Sequence, residues 1–145
     1  MTETPHTTKR QDYSLLLQPL IDLPKVRHVV VASSDGMLVA ASPNLDVGLA
    51  EGIAAMSSSG VSAMRAMANS ALEADTAANA IETITTVTAL GMCIMVPAAA
   101  NALLIVVGER DMQMGVVIST AARQARKLGE KVISLPARDA GDPRS

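Results

Sequence analysis

The sequence predicts an α+β sandwich in which a sheet is covered by helices on both faces. Three observations lead there. A hairpin signal surrounds Ser34-Asp35-Gly36, a long proline-free amphipathic segment follows Asp46, and 26 uncharged residues from Thr83 to Gly108 break into short strands.

In chain order, residues 1–10 are charged, carry Pro5 and lack an apolar run of secretory length. They read as a polar tail without a signal peptide. Next, "SLLLQPLIDLPK" has helical apolar spacing at Leu16, Leu20 and Leu23. Pro19 removes a backbone donor and crowds the preceding turn, so this helix should be short or kinked. Beyond it, an apolar run from Val26 to Ala32, the Ser34-Asp35-Gly36 turn and a second run from Met37 to Ala41 make a β-hairpin.

Asp46 is an N-cap for a helix from Val47 to about Ala74. At about 100° per residue, Leu49, Ile53, Met56, Gly60, Met64, Met67 and Ala71 form one stripe of an amphipathic helix. Glu51, Ser58, Ser62, Arg65 and Asn69 fall opposite. The flanks are small, with Ala50, Ala54, Ser57 and Ala68 on one side and Gly52, Ser59, Ala66 and Ser70 on the other. Small flanks admit a second helix at close range, and the glycines weaken the isolated helix by about 1 kcal/mol each relative to Ala.

The uncharged stretch is long enough to cross a bilayer, which takes about 20 apolar residues. Its threonines, Gly91, Pro97 and Asn101, and the absence of aromatic or basic flanks, argue instead for a meander. The strands are Ala80 to Ala89, Met92 to Val96 and Ala102 to Val107. The later two show no alternation and are expected to be covered on both faces. Thr-rich Ala80 to Ala89 is polar enough for an edge yet lacks a guarding Lys, Pro or bulge, which invites pairing with another chain. A final helix lies beyond Glu109, with an apolar stripe at Val117, Ala121, Ala125, Leu128 and Val132. Arg123, Arg126, Lys127 and Lys131 sit toward its C-terminal half, where the helix dipole favours positive charge. Residues 136–145 read as a second polar tail, leaving one domain over 11–135.

The composition narrows function. With one Tyr, no Phe and no Trp there is no aromatic platform for stacking bases, and a net charge of −2 gives no general attraction to a phosphate backbone. A lone Cys93 in an apolar run reads as a small core residue of an intracellular protein. His6 and His28 have no metal-ligand spacing, and no P-loop motif is present. Ser33, Ser34 and Asp35 are turn residues without an evident base, so a Ser- or Cys-dependent hydrolase lacks its triad. Neither a cofactor nor a metal is expected.

The run "LPKVRHVVVASSDGMLVAAS" leading into an Asp-capped, small-residue helix resembles the roadblock/dynein light chain superfamily. It is similar in particular to bacterial roadblock proteins encoded in conservon operons beside a histidine-kinase-like sensor and a small Ras-like GTPase. The pattern spans about Gln11 to Ile133. The resemblance implies a five-stranded antiparallel sheet with the long helix on one face and the two terminal helices on the other. It further implies a homodimer in which third strands pair across a two-fold through Thr83, Thr85 and Val87. The long helices would then pack near Gly52, Ser59 and Gly60.

The same resemblance implies a non-enzymatic, cytoplasmic binding module for a small Ras-like GTPase, with any membrane recruitment left to a partner. Glu51, Ser58, Ser62, Arg65 and Asn69 are the candidate partner-binding residues. Arg65 is the one candidate for an inserted arginine, although a solvated helix face also wants one. The alternative is a scaffold joining a sensor to soluble components without preference for GTP or GDP.

Overall fold

The computed structural model describes residues 5–75, 78–99 and 101–134. Eight elements succeed one another: α1 (Pro5–Ile21), β1 (Val26–Ser33), β2 (Leu38–Ala41), α2 (Val47–Ala71), β3 (Ile84–Val87), β4 (Met92–Ala98), β5 (Ala102–Gly108) and α3 (Met114–Ser134). The strands form one antiparallel sheet in the order β2-β1-β5-β4-β3.

Helix α1 starts earlier than expected, taking Pro5 to Arg10 out of the anticipated tail. Proline suits a first helical position because its missing N–H would have no partner there. Residues 1–4 and the anticipated C-terminal tail lie outside the described residues. Pro19 does not stop the helix at once, which ends two residues later at Ile21. Leu15, whose carbonyl the missing N–H would have met, is on the solvent side and exposed. Tyr13, Leu17 and Leu20 are buried against the sheet, with Leu16 and Leu23 half-buried beside them.

The β1–β2 turn holds itself together through side chains. Gly36 adopts φ 93°, a left-handed value open to glycine, and its N–H donates to the Ser33 carbonyl at 2.9 Å. The Ser33 hydroxyl donates to the Asp35 carboxylate and accepts from the Met37 N–H at 3.1 Å. That donated bond holds the Asp35 carboxyl below its ordinary value.

Helix α2 begins as expected, with Asp46 Oδ2 accepting from the Leu49 N–H at 3.0 Å. It ends a few residues sooner, in a paired C-terminal cap: Ala74 N–H donates to the Asn69 carbonyl at 2.9 Å and Glu73 N–H to the Ser70 carbonyl at 3.3 Å. Glu73 takes the left-handed position, φ 52°.

One core lies between the sheet and the α1/α3 layer, built from Leu17, Leu20, Val29, Val31, Ile94, Leu104, Val106, Val117, Ala121, Ala125 and Leu128. Four of the five stripe residues expected on α3 are there; the Val132 side chain lies outside those described. Gln124, buried in the same layer, donates from Nε2 to the Leu16 carbonyl at 2.6 Å and joins the two helices. The second core is smaller and lies under α2: Val30, Ala32, Leu45, Ala50, Ala54, Val61, Leu103 and Ile105.

β4 departs from expectation. Met92, Ile94, Val96 and Ala98 are buried, but Cys93, Met95 and Pro97 between them are only half-buried. One face of the strand is therefore incompletely covered, because α2 packs over β1, β2 and β5 and stops short of it. Cys93 belongs to this open face rather than to the core. Pro97 is part of β4, paired with Leu103, and lies beyond Met95, the last residue that β3 reaches. Its missing donor is thus tolerated on an edge.

The β3–β4 turn is held by Thr88, whose Oγ1 accepts from the N–H groups of Leu90 and Gly91 at 3.2 and 3.1 Å. Beyond it the backbone is tight: a Cβ on Gly91 would lie 2.6 Å from the Gly108 carbonyl oxygen. Gly91→Ala is expected to lower stability by about 1–3 kcal/mol, as overpacking does. Thermal and urea unfolding would check this, and an unchanged midpoint would refute it.

Candidate functional site

The rotation of α2 decides which surfaces are available. The residues buried on the sheet are Ala50, Ala54, Ser57 and Val61, a flank of the expected stripe rather than the stripe itself. Small side chains let the helix axis lie close over β1 and β5, where Val30, Ala32, Leu103 and Ile105 meet it. The Leu/Met stripe is turned about a quarter of the way round the helix and remains exposed. Met56 is 68% exposed, Met67 55% and Leu49 51%, with Met64 also open and Ile53 half-buried.

The stripe borders the bare part of the sheet. Between α2 and β3–β4 runs an apolar groove of about 260 Å³, lined by Ile53, Met56, Ser57, Thr86, Cys93, Met95, Ile105 and Val107. β3 forms its far wall. The strand is short, and its outer side pairs with no strand among the described residues. Thr83, Thr85 and Val87 are exposed along this edge. Of the expected helix contacts, Gly60 faces open space, with no atom within 4 Å of an added Cβ. Gly52 is half-buried and Ser59 exposed.

On the other side of α2 the polar stripe divides. Ser58, Ser62 and Arg65 come together with Ser34 from the β1–β2 turn and with Pro97, Ala99 and Ala102 at the β4–β5 turn. They line a cleft of about 90 Å³ floored by Val61 and Leu103. Ser58 Oγ donates to the Ser34 carbonyl at 2.7 Å, and Ser34 N–H donates to the Asn101 carbonyl at 3.0 Å. The first bond fastens the β1–β2 turn to the helix, and the second fastens the β4–β5 turn to the β1–β2 turn. Glu51 and Asn69 lie outside the cleft lining. Glu51 is exposed, and Asn69 Oδ1 accepts from Asn79 Nδ2 at 2.9 Å, holding the connection to β3.

Sequence reasoning singled out Ser58, Ser62 and Arg65, which share the cleft, and grouped the Leu/Met stripe without placing it beside the groove. It missed Thr86, Cys93 and Met95 as groove residues and Ser34 as a cleft residue. Met92 to Val96 is apolar throughout, so nothing in its sequence marks Cys93 and Met95 as facing a groove. Ser34 comes to the cleft only through long-range folding. Among the described residues no group of His, Cys, Asp or Glu could hold a metal, and no helix is long and apolar enough to cross a membrane.

The β3 edge, the bare apolar groove and the half-exposed helix stripe lie side by side and make one continuous surface. The chain belongs to the Roadblock/LC7 domain family, whose model matches residues 13–108. Among solved structures it is similar to a Roadblock/LC7 domain from Streptomyces avermitilis, with TM-score 0.73, 18% identity and coverage of 83% of this chain and 98% of that one. A second such domain from Streptomyces avermitilis gives 26% identity, TM-score 0.61 and coverage of 79% and 96%. MglB of Myxococcus xanthus gives TM-score 0.72 and 15% identity over 94% and 96% of the two chains. No curated protein matches the chain.

Helix rotation is open to direct measurement. Ala54 is fully buried on the sheet, so Ala54→Leu should destabilise by about 1–3 kcal/mol. Ala66→Leu, on the exposed side, should change stability by no more than about 0.5 kcal/mol. Urea unfolding of both variants compares them, and equal effects would contradict the rotation described.

Proposed function

We propose that the protein is a homodimeric regulatory module that binds a small Ras-like GTPase and biases its nucleotide state, in a signalling system with a histidine-kinase-like sensor. The observation carrying the self-association is the continuity of three features: the exposed stripe of α2, the apolar groove beside it and the unpaired β3 edge. A second copy related by a two-fold fits all three at once. Its β3 would extend the sheet, and its α2 would cover the half-buried Cys93 and Met95. Each Leu or Met fully withdrawn from water contributes roughly 1.5–3 kcal/mol. The stripe and groove therefore supply more to such a dimer than the short strand pairing does.

The GTPase is inferred from the family resemblance, in which related roadblock proteins bind small GTPases. An MglB with a tetrameric arrangement and MglC of Myxococcus xanthus, both similar in fold, fit a family built for protein contacts. No P-loop is present in this chain, so a nucleotide would be held by the partner. The protein would act on the partner's switch segments, with no active site of its own. The scaffold reading keeps the same dimer and partners but removes nucleotide preference. A partner with equal affinity for both nucleotide states shifts neither.

Val87→Lys should weaken the dimer by placing charge at the β3 edge, with light scattering showing a shift to monomer at micromolar protein. A dimer as tight as the unmodified one would remove β3 from the interface. Partner capture from native extract, run with a GTP analogue, with GDP and with neither, should retain a small GTPase preferentially in one state. Equal retention would support the scaffold, and absence of any GTPase would overturn the proposed partner.

A further inference from the structure

The cleft beneath the polar stripe holds a cation and, among the described residues, no anion to match it. Arg65 is half-buried at its wall, and among the described residues no carboxylate lies within ion-pair distance of it; the one such pair is Lys25 with Asp111, elsewhere on the surface. A guanidinium offers five N–H donors and no acceptor. Ser62 adds a hydroxyl from one turn earlier on α2, and Ser34 adds another from the hairpin turn. Their neighbour Ser58 is already committed, donating to the Ser34 carbonyl at 2.7 Å. The remaining lining, Val61, Pro97, Ala99, Ala102 and Leu103, is apolar.

We propose that this cleft receives the carboxylate of an aspartate or glutamate side chain from a protein partner, bound by Arg65 and the Ser34 and Ser62 hydroxyls. The assignment rests on the reading of this face as a partner-binding surface and supplies the chemistry by which it would recognise one. Two features favour a carboxylate over a phosphate. Arg65 is the one cation in the lining, so it balances a single negative charge and would leave a phosphate monoester dianion half-neutralised. The apolar floor matches the methylene groups that carry a side-chain carboxylate, and a cleft of about 90 Å³ has room for that group but not for a nucleotide. A planar carboxylate can accept two parallel bonds from a guanidinium, which gives orientation as well as affinity. Because Ser58 ties the β1–β2 turn to α2 and the Ser34–Asn101 bond ties the β4–β5 turn to that first turn, the site is formed before anything enters it.

The test uses the full chain, labelled with nitrogen-15, and sodium acetate as probe, with sodium phosphate and sodium chloride as arms at matched ionic strength. Acetate should shift the Arg65 side-chain N–H and the Ser34 and Ser62 amides along one saturating curve. Arg123 and Arg126, on α3, serve as internal controls and should move far less. Arg65→Gln should abolish the shifts at Ser34 and Ser62 while the rest of the spectrum stays in place. A shift at Arg65 no larger than at the controls, or one that survives at Ser34 and Ser62 in the variant, overturns the site. Phosphate acting at about a tenth of the acetate concentration overturns the carboxylate assignment. With a captured GTPase in hand, Arg65→Gln should weaken its binding by about tenfold or more, as loss of a charge-assisted pair does. Undiminished binding would overturn the cleft's use by that partner. Failure to capture any GTPase bears on the proposed function alone, because the acetate measurement does not depend on it.

Discussion

The seat of α2 on the sheet governs everything exposed on that face. Ala50, Ala54, Ser57 and Val61 are small enough to bring the helix close to β1 and β5, and a helix so placed covers only part of a five-stranded sheet. Larger residues at those positions would lift the axis and loosen the contacts with Val30, Leu103 and Ile105. The opposite face has two helices, α1 and α3, joined by Gln124, and is covered by a full layer. This asymmetry of one helix against two leaves apolar surface at β3 and β4 as a consequence of element count.

Much of the architecture was legible because local chemistry and long-range order agree. Asp46 starts α2 where an N-cap should, Gly36 turns the hairpin, and Val117, Ala121, Ala125 and Leu128 show the side of α3 that is buried. The rotation of α2 was not legible. Periodicity shows that Leu49, Met56 and Met64 share a face, but a hydrophobic stripe looks the same whether it meets its own sheet or another surface. Ala50, Ala54 and Ser57 carry so little hydrophobic weight that they pass for a flank. The start of α1 was missed for a related reason, since residues 5–10 have no apolar spacing to betray a helix and only Pro5 marks its beginning.

The two sides of α2 differ in kind. Toward β3 the surface is apolar, built from Met and Leu whose flexible side chains adapt to a facing surface. Toward the β1–β2 and β4–β5 turns it is polar, confined and braced by hydrogen bonds to backbone carbonyls. The first favours burial of area, and the second favours recognition of one group in one orientation. Under the two proposals a single helix separates affinity from selectivity, through the residues that lie a quarter-turn either side of the small-residue face.

Pro97 bears on how such a molecule could assemble. It lies past Met95, where the pairing of β3 with β4 ends, and the β3 edge is four residues long and polar at its threonines. A segment that brief can set the alignment of two sheets but offers few backbone bonds with which to hold them. It is correspondingly a poor template for indefinite strand addition. Brevity at this edge lowers the risk that the exposed Met and Leu beside it would carry strand addition on into fibres.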